Sequence, residues 1–139
     1  MFGTQRIPVG KVKTSLQRVA NEYDIRLGLL FGSTVRSEST PISDVDVAIL
    51  FERESGDYVS IALKIADEPQ KEIHKEVDVV PLNTAPPALK YLVASEGELL
   101  YEKDEWYLRF YSQALREYFD FRYYLRQHTK RARRYLGVE

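Results

Sequence analysis

Phe31-Gly-Ser-Thr-Val-Arg-Ser-Glu-Ser-Thr-Pro-Ile-Ser-Asp-Val-Asp-Val-Ala-Ile-Leu50 is the stretch that decides the fold of this chain. Gly32-Ser33 makes a turn, ten residues follow, and Asp44-Val45-Asp46 then opens an apolar run. Side chains of a strand alternate between faces. Asp44 and Asp46 are therefore expected on one face, and Val45, Val47 and Ile49 on the other. The two aspartate Cα atoms should lie roughly 6–7 Å apart. Like charges at that distance repel unless a cation or a proton separates them. A pair of hard oxygen donors suits Mg²⁺, which commonly takes one or two carboxylates together with substrate phosphates. The glycine lets backbone approach a phosphate, and the Ser33 hydroxyl and the N–H groups after it can donate to one. The stretch therefore predicts a site for a metal-bound nucleoside triphosphate.

A third acid lies further on. Glu76-Val77-Asp78-Val79-Val80 reads as a second buried strand with one aspartate among valines. Placed beside the first acidic strand, Asp78 completes a three-carboxylate cluster. Such a cluster can hold two metal ions that stabilise the attacking and leaving oxygens of an in-line displacement. Asp78 also has a plainer reading, an ion pair with Lys75 or an arginine. Arg36, three positions after Ser33, either faces the triphosphate or pairs with Glu38. Ser43 is read as a cap of the turn before the acid pair.

Gly-Ser, ten residues, Asp-x-Asp and a later Asp on a valine-rich strand resemble the nucleotidyltransferase superfamily related to DNA polymerase beta. The small size, Arg36 after Gly-Ser and the aromatic C-terminal helix are similar to the minimal nucleotidyltransferase (MNT) antitoxins of the MntA type, partners of HEPN-domain ribonuclease toxins. By motif the resemblance covers roughly residues 25–102. The family often has Ala and Gly flanking the arginine, where this chain has Val35 and Ser37; the change lies in the loop and removes no catalytic group. The resemblance implies Asp44, Asp46 and Asp78 as catalytic and metal-binding residues, and Gly32, Ser33 and Arg36 as nucleotide-binding residues. It implies Mg²⁺ as cofactor, ATP as substrate and a tyrosine of a HEPN toxin as AMP acceptor, in a hetero-oligomer with that toxin. The competing expectation is an antitoxin that blocks its toxin by contact alone. A small-molecule nucleotidyltransferase is a third, for which the chain is short.

Composition bounds the rest. At 139 residues the chain is expected to form one domain, 1–139, with 104–139 as a C-terminal helical extension. A net charge of −1 argues against direct nucleic-acid binding by the domain as a whole. The sequence has no cysteine, which excludes disulfides, thiolate catalysis and cysteine zinc sites and fits a cytoplasmic protein. The N-terminal residues carry no apolar run of a secretory signal, and no stretch approaches a membrane span.

Along the chain, Val9–Glu22 reads as a helix with Val12, Leu16 and Val19 near one face. Strands are expected at Ile25–Phe31, Asp44–Phe51 and Glu76–Pro81, with a short one at Gly97–Tyr101. A helix starts near Ser55-Gly56-Asp57, carries Val59, Ile61, Leu63 and Ile65, and is bounded by Pro69. Another begins at Thr84-Ala85-Pro86-Pro87 and runs to about Ser95. From Asp104 to Leu136 there is neither Pro nor Gly, and Tyr111, Leu115, Tyr118, Phe121, Leu125, Ala132 and Leu136 fit the apolar stripe of one long helix. The fold class is α+β: a small mixed sheet with packed helices and a long C-terminal helix.

Seven of the ten tyrosines fall at or after Tyr101, so the last third is aromatic. It is also basic, with Arg122, Arg126, Lys130, Arg131, Arg133 and Arg134. That cluster reads first as a solvated helix end favoured by the dipole, and second as a dock for an acidic partner or for RNA held by that partner. The Arg122 and His128 spacing is close to an arginine–histidine pattern of HEPN ribonucleases, and is read as coincidence here. His74 has no second histidine nearby to build a metal site.

Overall fold

The computed structural model describes residues 9–32, 45–53 and 56–136, without the side chains of 130 and 132–136. The element order is α1 (Val9–Val19), β1 (Ile25–Phe31), β2 (Val45–Phe51), α2 (Tyr58–Ile73), β3 (Val77–Pro81), α3 (Pro87–Glu96), β4 (Glu98–Glu102) and α4 (Trp106–Leu136). The four strands form one sheet in the order β3-β2-β1-β4. β1 is antiparallel to both β2 and β4, whereas β2 and β3 are parallel. A parallel pair needs a crossover between its strands, and α2 supplies it.

Alternation along the strands divides the apolar residues between two cores. Val45, Val47, Ile49 and Phe51 of β2 pack with Val12, Leu16 and Val19 of α1 and Ile65 and Ala66 of α2. On the opposite face Leu27, Leu29, Phe31 and Ala48 pack with Val93 and Ala94 of α3 and Phe110 and Ala114 of α4. Helices therefore cover both faces of the sheet. The face on which Asp46 lies, with Ala48 and Phe31, is the α3/α4 face. A bulge between Ile25 and Leu27 reverses the parity of β1, so Ile25 and Leu27 serve different cores.

Three expectations are corrected. Pro69 does not end α2; it is a buried residue inside it, and the helix continues to Ile73. Proline in that position costs the hydrogen bond to the Ile65 carbonyl but adds apolar packing to the core. His74, in the left-handed region at φ 55°, ends the helix, and its N–H donates to the Gln70 carbonyl. The buried face of α2 is Ala62, Ile65, Ala66 and Pro69, while Val59 and Leu63 are exposed.

The second correction concerns β3. It is an edge strand, only Val77 of it is buried, and Asp78 is exposed. The third concerns α4. Among its described side chains the buried positions are Phe110 and Ala114, with Tyr107 and Tyr111 packed against that core. Phe121 and Leu125 are exposed, because α3 is only ten residues long and α4 outruns it. Packing between the two helices extends to Tyr91 on Tyr118, stacked with centroids 4.0 Å apart, and to Lys90 Nζ on Glu117 Oε2 at 3.1 Å. Every residue from Phe119 to Gln127 is exposed.

Two polar fastenings hold the end of the sheet remote from Asp46. The Asn83 side chain accepts from Phe51 N–H at 2.8 Å and donates to Phe51 C=O at 3.1 Å. It thus supplies a rung beyond the last residue of β3. Lys103 Nζ lies 3.1 Å from Glu52 Oε2 and ties the end of β4 to the end of β2 across β1.

Candidate active site

Asp46 is the second residue of β2 and Asp78 the second of β3. They are register partners, as Val45 is with Val77 and Val47 with Val79. In a parallel pair, partners in register project from the same face. The hydrogen bond from Val45 N–H to Glu76 C=O, 2.9 Å, fixes that register at the strand entrances. Two carboxylates distant in sequence thus stand on neighbouring strands about 5 Å apart. Asp78 is the more exposed of the two, since no strand lies outside it.

On the other side of β2, Phe31 is the register partner of Asp46 on β1, and Gly32 follows it. Gly32 has φ +86°, a conformation that L side chains rarely adopt. A Cβ there would lie 2.5 Å from Asp46 Oδ2. The glycine therefore serves two needs at once: it turns the chain out of β1, and it leaves room for the Asp46 carboxylate against the backbone.

Asp44, Ser33 and Arg36 lie outside the described residues, as do Glu38 and Ser43. The site is therefore described through Gly32, Asp46 and Asp78. Among the described residues, no three acidic or histidine side chains converge as a metal-binding group. The alternative reading of Asp78, an ion pair with Lys75, is not found among the described residues. The Lys75 Nζ is buried with no hydrogen-bond partner.

The sequence reading missed what lies beside Asp78. A cleft of about 110 Å³ between α2 and β3 is lined by Val59, Leu63, Val79 and Pro81, with Asp78 on its border. In the sequence Val59 and Leu63 are simply two of the apolar residues carried by the helix. The signal that places them outside is the small-residue stripe Ala62, Ala66 and Pro69, which seats α2 closely and leaves Val59 and Leu63 on the flank.

The chain is similar to known nucleotidyltransferases. The family described as "Polymerase beta, Nucleotidyltransferase" matches residues 14–106. A Methanocaldococcus jannaschii protein described as "Putative protein adenylyltransferase" is 27% identical over 89 residues, 64% of this chain and 94% of that protein. Among solved structures, a chain of a toxin–antitoxin crystal structure with AMP-PNP superposes with a TM-score of 0.72 at 18% identity, covering 86% of this chain and 97% of its own. A chain of the tri-AMPylated Shewanella oneidensis HEPN toxin in complex with MNT antitoxin gives 0.68 at 17% identity, covering 89% and 98%. At these identities the structural likeness establishes the α+β fold. No helix among the described residues is long and apolar enough to cross a membrane.

Proposed function

We propose that this chain, which belongs to the polymerase beta nucleotidyltransferase family, transfers AMP from ATP to a tyrosine hydroxyl of a HEPN-domain toxin and so acts as its antitoxin. The observation that carries the reading is the Asp46–Asp78 register pair, with Gly32 folded against Asp46. The adenylyltransferase description of the archaeal relative and the AMPylated toxin in the Shewanella complex support the nucleotide and the acceptor.

In this reading Gly32 and Ser33 form the turn that receives the triphosphate, and Arg36 faces its charge. The donor set is chemically suited to Mg²⁺: hard carboxylate oxygens from Asp46 and Asp78, with Asp44, two positions before Asp46 in the sequence, as the third acid. Bound there, Mg²⁺ would neutralise phosphate charge and align the triphosphate. Asp78, exposed at the sheet edge, accepts the phenolic proton of the acceptor. The tyrosine oxygen forms a bond to the α-phosphorus. The bond from that phosphorus to the α,β-bridging oxygen breaks, and pyrophosphate leaves with the electron pair.

The second half of α4 supports the partner. Phe119, Tyr123 and Tyr124 are 54, 66 and 59% exposed, on a helix that has outrun its neighbour. Aromatic side chains and arginine are the types enriched at protein interfaces. The toxin docks there, and the work is done in the cytoplasm.

Labelled ATP tests the reaction. With toxin present, label on the α-phosphate is expected to become protein-bound and label on the γ-phosphate to be released in pyrophosphate. Protein-bound γ-label, or release of inorganic phosphate with nothing transferred, contradicts it.

A further inference from the structure

We propose, building on the adenylyltransfer reading, that the acceptor polypeptide reaches Asp78 by adding as an extra strand to the outer edge of β3. Its hydroxyl-bearing residue lies on the Asp78 face, and that residue's apolar neighbours lie in the cleft against α2.

The edge has a defined hydrogen-bonding character. Because Val45 N–H donates to Glu76 C=O, the backbone groups of Glu76, Asp78 and Val80 point toward β2. Those of Val77 and Val79 point outward. The Val77 N–H is already taken by Gln70 Oε1 at 3.0 Å. Pro81 has no N–H to offer. Among the described residues, the Val79 N–H and the Val77 and Val79 carbonyls have no outward partner. The edge therefore accepts a short extended segment in a limited register, bounded by Gln70 at one end and Pro81 at the other. Main-chain pairing of this kind supplies affinity, and alternate side chains supply specificity.

The side-chain positions fit a tyrosine substrate. In an added strand, a residue opposite Asp78 projects on the Asp78 face, and the residues before and after it project on the other. That other side is the cleft of Val59, Leu63, Val79 and Pro81. Val59 and Leu63 are 69 and 70% exposed, one helical turn apart, and turned toward an edge that nothing covers among the described residues. An occupant with backbone donors and apolar side chains is a polypeptide.

The test compares AMP transfer to the cognate HEPN toxin by the wild-type protein, the Val59→Asp/Leu63→Asp protein and the Val79→Pro protein. Both aspartates replace exposed side chains. Proline at 79 removes an outward N–H and spares the β2 ladder. Each variant is expected to lose roughly tenfold or more in kcat/KM for the toxin. Mg²⁺-ATP affinity and melting temperature should stay at wild-type values for the Val59→Asp/Leu63→Asp protein. Mapping of the modified tyrosine by mass spectrometry should find an apolar residue beside it. Wild-type rates in both variants overturn edge docking while leaving adenylyltransfer standing. Absence of transfer by the wild-type protein overturns both, and the α-labelled ATP experiment identifies that case.

Discussion

Asp46 and Asp78, thirty-two positions apart in sequence, are register partners in the parallel β2–β3 pair. The crossover α2 makes this possible. It returns the chain to run beside β2 in the same direction, so two strand entrances and their second residues come together. The same α2 bears the cleft that borders Asp78, which places the acids and an apolar surface at one edge of the sheet.

The first prediction concerns nucleotide binding. Two or three carboxylates on one face should repel a triphosphate unless a divalent cation is present. Calorimetric titration should show ATP binding at least about tenfold tighter with Mg²⁺ than with chelator. Asp78→Asn should narrow that difference. Its melting temperature should hold or rise, because a like-charge cross-strand pair is removed from an exposed position. Equal ATP affinity with and without Mg²⁺ contradicts the metal assignment.

Gly32→Ala tests the backbone seat of Asp46. A Cβ there meets Asp46 Oδ2 and must adopt φ +86°. Strain of this type costs on the order of 1–3 kcal/mol. Transfer activity should fall by far more than that stability loss explains, because the carboxylate itself is displaced. A variant that is destabilised but has normal activity per folded molecule contradicts the role.

Asn83→Leu should be destabilising by about 1–3 kcal/mol, since it leaves the Phe51 N–H and C=O without their partners. Asn83→Asp keeps the acceptor for the N–H and should recover part of the loss. Denaturant midpoints measure both. Midpoints equal to wild type would show that water replaces the side chain at no cost.

The Glu52–Lys103 pair gives a pH signature. The Lys103 hydrogen bond and charge hold the Glu52 carboxyl below its ordinary range, and Glu52 holds the Lys103 ammonium above its own. A lowered carboxyl stabilises above its unfolded pKa, and that contribution is lost as pH falls through the folded value. A raised ammonium stabilises below its unfolded pKa, and that contribution is lost as pH rises through the folded value. The pair's contribution should therefore be flat between about pH 5 and pH 10 and decline on both sides. It is solvent-exposed, so the effect should be small and should shrink in high salt. Glu52→Gln should remove this pair's contribution at both flanks. A Glu52→Gln profile parallel to wild type at both ends contradicts it.

Local patterns in the sequence made most of the fold legible. Alternation of Val45, Val47 and Ile49 with Asp46 marks a strand with two different faces, and Val12, Leu16 and Val19 mark the buried side of α1. What was illegible depended on tertiary neighbours. Pro69 reads as a stop, yet it is buried in a helix that continues to Ile73. Phe121 and Leu125 continue an apolar stripe, but the antiparallel helix they would pack against begins only at Pro87. Burial of Asp78 was inferred from its valine neighbours, and an edge position leaves it exposed. The pairing of Asp46 with Asp78 was conditional in the sequence on two strands lying side by side, and the parallel register meets that condition.

The central claim is tested most directly by intact-mass spectrometry of the cognate HEPN toxin after incubation with this protein, ATP and Mg²⁺. The toxin should gain the mass of one or more AMP units. The Asp44→Ala/Asp46→Ala protein should still bind the toxin and leave its mass unchanged. A wild-type protein that neutralises the toxin while the toxin's mass never changes contradicts adenylyltransfer and points to inhibition by contact alone.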